Sequence, residues 1–411
     1  MNPRDIPQYD PPIAPPPAVV PRPKPAITLL VAMTGLGPFT MQILIPSLPA
    51  LAAALATNYG TAQLTLTLYL VGVAVAQLVY GPLSDRYGRK PLLLTGLAIY
   101  LVGSLAAALA PSIGWLVAAR VLQAIGGCAG LVLGRAMIRD AYPREQAASV
   151  MGYVSTAMAV APMIAPLLGS LLDQQFGWRA SMVACFAFAA PMLLAVRVWL
   201  PETLREPQPL PGLAGMLGAY VQLLRLPAFR AYCGLTAFAT GVFFAFAVGG
   251  PLVVINGLGY SATAYATAMM CIPFAWSAGT FTAARLATRL GITRMLALGT
   301  MVTTAGGLLA LVVQIFLPPH IALFFAPMAL AALGNGMTQP NAIAAAISVR
   351  PNLAGTASGF IGAAQMGCGA LMTVLCGVTE TGSGIATACW MLVSALATQW
   401  ALLAARRLQP Q

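Results

Sequence analysis

The chain has 411 residues, of which 59% are hydrophobic and only 7% charged, with a formal net charge of +12. A soluble domain carries about 25% charge, so the composition excludes a water-soluble globular protein and indicates a polytopic membrane protein. The cations do not point to nucleic acid, because in the plan below almost all fall on one membrane side, Arg120 and Arg179 excepted; the charge reports topology.

Residues 1–25 contain ten prolines and no continuous apolar stretch of the kind a signal peptide needs. They read as an extended, disordered cytoplasmic tail. Twelve apolar segments follow, near 27–51, 62–80, 91–110, 114–138, 146–171, 179–199, 230–256, 262–283, 295–317, 321–346, 354–377 and 384–404. Each is long enough for a bilayer, which needs about 20 residues. Twelve crossings return Arg406 and Arg407 to the side of the tail, together with loops at Arg135–Glu145, Glu202–Arg225, Arg285–Arg294 and Arg350. The opposite side carries short, nearly uncharged turns such as Pro111-Ser112 and Pro318-Pro319. Both termini are therefore expected in the cytoplasm. The seven cysteines lie in apolar segments without Cys-x-x-Cys spacing and read as packing residues. One histidine, His320, excludes a multi-histidine metal site, and no site for covalent chemistry or a cofactor is present.

Between the second and third segments stands the densest charged run, Gly81-Pro-Leu-Ser-Asp-Arg-Tyr-Gly-Arg-Lys90. It reads as a tight cytoplasmic loop in which Pro82 and Gly88 break the helix on either side. Leu83-Ser-Asp-Arg86-Tyr-Gly88 recurs as Leu286-Ala-Thr-Arg289-Leu-Gly291, and Ala147–Val154 recurs loosely as Ala354–Ile361, at offsets of 203 and 207 residues. A repeat of nearly half the chain predicts two six-helix bundles, 26–199 and 230–405, joined by a polar linker at 200–229 and followed by a short tail at 406–411. Parallel repeats of this kind put a substrate site at their interface.

In the fourth segment, Arg120 is an intramembrane cation, with Gln123 and Gly127 on its face at i+3 and i+7. An arginine there costs on the order of 2.5–3.5 kcal/mol, so it is expected to point into a polar cavity. Gly126, Gly130 and Gly134 in this segment, and Ala157, Ala161, Ala165 and Gly169 in the fifth, recur every four residues. Small residues so spaced let backbones approach closely, and Pro162 and Pro166 should bend the fifth helix. Polar residues at membrane depth peak in Asn335-Gly-Met-Thr338-Gln339-Pro-Asn of the tenth segment, with Gln77, Thr240 and Gln365 elsewhere. Phe243, Phe244, Phe246 and Phe274 are candidates for an apolar pocket wall.

The Gly81–Lys90 run resembles the loop between the second and third helices of the major facilitator superfamily. Gln63 through Leu204 looks like its drug-resistance exporters of the bicyclomycin and chloramphenicol type. The resemblance implies an all-α fold of twelve transmembrane helices in two pseudo-symmetric six-helix bundles, usually monomeric, in a bacterial inner membrane. It further implies alternating access, export of small amphipathic drugs or metabolites, and proton antiport. Gly81, Asp85, Arg86, Gly88 and Arg89 then form a conformational gate, Asp85 contacting the opposing half near Asn352–Ala354; read on its own, Asp85 is a solvated charge paired with Arg86 or Arg89. Arg120 matches the superfamily's fourth-helix motif, whose arginine is tied to proton or substrate coupling. Ala161, Pro162, Ala165, Pro166 and Gly169 match the fifth-helix motif associated with exporters, with alanines partly replacing its glycines. One departure stands in the first segment, where similar exporters carry an acid and this chain reads Phe39-Thr-Met-Gln42-Ile-Leu-Ile-Pro46. Gln42 forms hydrogen bonds but does not titrate. This favours a rival reading, an uptake or equilibrating permease for a small anion with Arg120 as counter-charge.

Overall fold

The computed structural model describes residues 24–142, 144–204, 212–350 and 353–408; most of the proline-rich tail, part of the linker and Asn352 lie outside them. The described chain is helical, in the order α1 Ile27–Ile43, α2 Leu48–Ala54, α3 Tyr59–Tyr87, α4 Arg89–Ala108, α5 Ile113–Ala141, α6 Arg144–Phe176 and α7 Arg179–Trp199, then α8 Leu213–Arg225, α9 Pro227–Pro251, α10 Ala262–Met269, α11 Cys271–Leu290, α12 Ile292–Phe316, α13 Ile321–Ser348, α14 Ala354–Thr379 and α15 Ile385–Arg407. Among the described residues, ten helical segments are long and apolar enough to cross a membrane. The two other expected crossings fall on α6 and on α10 with α11.

Helix starts at one end of the molecule are capped by short polar side chains. Asn58, Ser112 and Ser261 accept from the backbone N–H three residues on, at 2.7, 3.4 and 3.1 Å, and His320 Nδ1 accepts from Ala322 N. These caps satisfy N–H groups that the first turn leaves without a partner. Glu380 does the same for α15. It is 6% exposed and accepts from the backbone of Thr381, Gly382, Gly384 and Thr387 and from the Thr387 hydroxyl. This neutral end contrasts with the basic end, where Arg89, Arg139, Arg225, Arg294 and Arg406 gather.

At the basic end the repeat is visible in the backbone. Gly88 and Gly291 each stand between two long helices with φ of +97° and +79°, a conformation that glycine adopts without strain. Pro82, by contrast, does not end its helix. α3 runs through it to Tyr87, so the loop between α3 and α4 is Gly88 alone. Several other boundaries shift in the same way. α5 continues to Ala141, taking Arg135 out of the expected loop and into a helix, because the first breaker there is Pro143. The expected first crossing is interrupted at Ile45-Pro46-Ser47, and the linker contains α8.

The apolar core separates by sequence. One cluster draws on Leu30 through Leu200, two others mainly on Leu223 through Ala405. The glycines of α5 and α6 allow close backbone approach, to α4 and α1 more than to each other. A Cβ on Gly126 would collide with α4 at Tyr100 and Gly96, whereas Gly130 and Gly134 abut Met33 and Thr34 of α1. Gly169 of α6 abuts the Ile43 carbonyl of α1. α1 therefore lies between α5 and α6, and the small residues serve its close approach.

Candidate functional site

Between the two core regions lies a cavity of about 500 Å³, within the usual range for ligand pockets. From the first half it is lined by α1, α3, α5 and α6, including Gln42, Gln77, Arg135 and Pro162. From the second half, Thr240, Asn335, Gln339 and Gln365 supply polar groups, and Phe243, Phe244 and Trp276 supply aromatic wall. The polar groups of the second half are linked: Gln365 Nε2 donates to Gln339 Oε1 at 3.3 Å, and Gln339 Nε2 donates to Thr240 Oγ1 at 3.4 Å. Asn335 Nδ2 donates to the Ala239 carbonyl at 2.9 Å while its Oδ1 accepts from Thr303.

The cavity is closed toward the neutral end. Ile45, Leu66 and Leu70 of the first half share one buried cluster with Phe244, Val248, Val253 and Tyr265 of the second. Tyr59 Oη donates to the Val248 carbonyl at 2.8 Å, and Gln174 Nε2 to Thr263 Oγ1 at 2.7 Å. Along one side, α3 and α14 are in close contact. Thr67 and Thr373 hydroxyls meet at 2.7 Å, and the side-chain oxygens of Gln63 and Gln77 occupy the space where a Cβ on Gly377 or Gly362 would stand.

The expected site residues divide. Gln42, Asn335 and Gln339 line the cavity, whereas Arg120, Gln123 and Thr338 do not. Arg120 is 1% exposed and enclosed within the first bundle of helices. Its Nη1 donates to the Thr40 carbonyl at 3.2 Å and to Gln123 Oε1 at 2.6 Å, and its guanidinium lies 4.3 Å from the Tyr69 ring centroid. Gln123 Nε2 passes the chain on to Ser104 Oγ at 2.8 Å. A desolvated cation over an aromatic face gains about 2 kcal/mol, and hydrogen bonds from a charged donor about 1.5–3 kcal/mol each. These contacts hold it inside the first half, although its buried Nε has no hydrogen-bond partner among the described residues, and it does not line the cavity, which corrects the expectation. Thr338 donates to the Gly334 carbonyl and packs against Gly299 of α12. Phe246 stacks on Phe324 at 4.9 Å and Phe274 is exposed on the outer surface, so neither forms the wall. In the α6 motif Pro162 lines the cavity, Ala161 is partly exposed, and Ala165, Pro166 and Gly169 are buried; the helix continues through both prolines.

Arg135, at the end of the fourth predicted segment and the start of a predicted loop, lies in α5 and lines the cavity. It is exposed to the cavity space. The signal was helical spacing: Gly127, Cys128, Leu131 and Arg135 share one stripe of an uninterrupted helix.

At the basic end the gate residues form a compact ionic cluster. Arg89, with a side chain 4% exposed, contacts Asp85 at 2.6 Å and Asp140 at 3.0 Å and donates to Ser84 Oγ. Glu202 accepts from the backbone N–H of Arg89 and Lys90 at 3.1 and 3.0 Å, placing an anion at the positive end of α4. A Cβ on Gly88 would lie 2.8 Å from the Glu202 carboxylate. Asp85 therefore pairs with the first residue of α4, across Gly88, and among the described residues not with α14, whose start is described from Leu353. Gly81 has open space around its Cα, and Arg86 is exposed.

The sequence pattern of the Major Facilitator Superfamily matches residues 30–373. "Multidrug resistance protein D" of Escherichia coli (strain K12) is 30% identical over 360 residues, covering 87% of this chain and 90% of the relative. "Chloramphenicol resistance protein" of Pseudomonas aeruginosa is 34% identical over 344 residues, covering 81% and 77%. A solved bacterial homologue of the human lysosomal transporter Spinster, inward-facing and unoccupied, aligns with a TM-score of 0.71 at 16% identity, covering 92% of this chain and 96% of that one. With a helical fold, a cavity between two core regions and a matching pattern over most of its length, this chain belongs to the major facilitator superfamily and is a transporter, not an enzyme.

Proposed function

We propose that the protein exports small amphipathic compounds, drugs or metabolites, from the cytoplasm by alternating access between two six-helix bundles with both termini cytoplasmic. The observation that carries this reading is the central cavity, aromatic and polar, closed by apolar packing at the neutral end. The concentration of Lys and Arg at the other end supports its placement in the cytoplasm. In this reading the described conformation faces inward: Asp85 is turned to Arg89, and its latch onto the opposing half forms when the cavity opens outward. Relatives that bear resistance to chloramphenicol and bicyclomycin in their names support export as the direction.

The test is expression in a drug-sensitive bacterial host lacking its own efflux pumps. Raised chloramphenicol resistance with lowered intracellular accumulation is expected. Wild-type abundance in the membrane with unchanged accumulation across a panel of amphipathic drugs refutes it.

Proton antiport belongs to the same proposal and has its own assay. In everted vesicles with an acidic interior, substrate addition should dissipate the pH gradient only where the protein is present. Gln42 in place of an acid favours the second reading, an equilibrating permease for a small anion; Arg120, sealed from the cavity, is no longer its counter-charge. Substrate flux without gradient dissipation would select it.

A further inference from the structure

We infer that Gln365 makes the cavity select cargo by its hydrogen-bond donors. Its Oε1 is an acceptor of fixed orientation that takes a neutral N–H or O–H group, and Gln339 and Thr240 are the positioning residues that fix it. The inference rests on the reading of this cavity as the substrate site and adds a rule for which neutral compounds it prefers.

The order of donors along the second-half wall follows from one backbone group. Thr240 Oγ1 lies 2.9 Å from the Thr236 carbonyl, which can only accept, so the hydroxyl uses its single proton there. Toward Gln339 the same oxygen can therefore only accept, and the Gln339 atom 3.4 Å from it must be Nε2. Gln339 Oε1 then points to Gln365, so the Gln365 atom 3.3 Å away must be the donor, Nε2. Reversing Gln339, or Gln365 alone, would set one oxygen against another. Each amide is thus locked by the one before it. The acceptor left over at the head of the chain is Gln365 Oε1.

That oxygen has no hydrogen-bond partner among the described residues, and it is not sealed inside the protein: Gln365 is half-buried on the cavity wall. A compound that displaces water from it without offering a proton leaves it unpaired, and an unmade hydrogen bond costs more than a made one gains. The spare N–H of each glutamine can serve a cargo oxygen, but it does not compensate for a missing donor at Oε1. Other polar groups of the wall discriminate less. Asn335 has its oxygen and its nitrogen engaged by Thr303 and the Ala239 carbonyl. Gln77 of α3 lines the cavity, yet no hydrogen bond among the described residues fixes which end of its amide faces inward. Phe243, Phe244 and Trp276 suit a flat aromatic body, so orientation within the cavity is left to the donor that meets Gln365.

The test uses carbazole and dibenzofuran, two flat neutral ring systems of nearly one shape that differ by an N–H in place of an ether oxygen. Binding to the full-length protein in lipid nanodiscs is measured by equilibrium dialysis, with empty nanodiscs as the blank. The wild type should bind carbazole at least about fivefold more tightly than dibenzofuran, the value of one net hydrogen bond. Gln365→Met should bring that ratio to about one. Thr240→Val should lower it below about twofold although Gln365 is intact, because Gln339 is then free to turn. Thr240→Ser keeps the hydroxyl and should keep the ratio. A packing role for Thr240 predicts the reverse, since valine has the shape of threonine and serine does not. Equal affinities in the wild type, no binding of carbazole, or a ratio unmoved by Gln365→Met overturns the inference. If Gln365→Met fails to fold, the Thr240 pair decides: a ratio that survives Thr240→Val overturns it. The export reading is judged separately. Export of chloramphenicol by a wild type that binds both probes equally sinks donor selection and leaves export standing. Carbazole-selective binding with no export of any compound does the reverse.

Discussion

Arg89 is the point on which the basic end of the molecule turns, and its removal should cost far more than the removal of either acid it holds. Its side chain is 4% exposed, against 18% for Asp140 and 44% for Asp85. Breaking a buried ion pair by deleting one partner typically costs 3–5 kcal/mol. Because Asp85 can rehydrate on loss of the cation, the lower end applies, about 3 kcal/mol for Arg89→Ala. Asp140→Asn leaves Arg89 paired with Asp85 and gives up one charge-assisted contact, about 1.5 kcal/mol. Asp85→Asn removes a half-exposed partner worth under about 1 kcal/mol. The assay is thermal stability of the detergent-solubilised protein followed by size-exclusion chromatography, with membrane abundance in parallel. The expected order of loss is Arg89→Ala, then Asp140→Asn, then Asp85→Asn. If Asp85 also latches the opposing half in another state, Asp85→Asn should lower transport while leaving stability close to wild type. Thermal loss for Asp85→Asn equal to that for Arg89→Ala would refute the cluster argument, since exposure would then not govern the cost.

Other perturbations separate packing from cargo contact. Gly130→Val sets a side chain against the Met33 carbonyl, so α1 must move from α5 and membrane abundance should fall; Gly114→Ala, with open space around it, should express as wild type. Gln339→Leu should impair transport at near-normal thermal stability, because the side chain lines the cavity, and Thr338→Val should show the opposite, because it packs on α12. Glu380→Gln keeps the shape of a 6%-exposed group but removes the charge that four backbone N–H groups and the Thr387 hydroxyl address, and about 2 kcal/mol of stability should go with it.

Much of the helical fold was legible because a bilayer demands long apolar helices. Gly88 and Gly291, matched by sequence alone, turn out to share one positive-φ, extended conformation. What failed was the use of local breakers at boundaries. Pro82 lies in the last turn and a half of α3, and the helix tolerates it there. Arg135 reads as a loop cation in the sequence because its charge suggests water; it lies in α5 and lines the cavity. Arg120 showed the reverse error. Its charge suggested the cavity, yet Tyr69, Gln123 and the Thr40 carbonyl engage it inside one half, with only Nε left without a described partner. A sequence shows that a buried charge needs partners, but whether those partners are protein or cargo depends on which faces of α3 and α5 meet.

The placement of acids completes the argument about mechanism. Every described carboxylate near a helix of the basic end is bound to Arg89 or to the amides of α4, and Glu380 is saturated at the neutral end. Carboxylates so engaged tie helix ends together. The described cavity wall offers a cation and amides in place of an acid. In the proposed reading the glutamine pair Gln339 and Gln365 on that wall contacts the cargo. Substitutions there should change which compounds move, whereas those at Arg89 or Glu380 should change how much protein survives to move them.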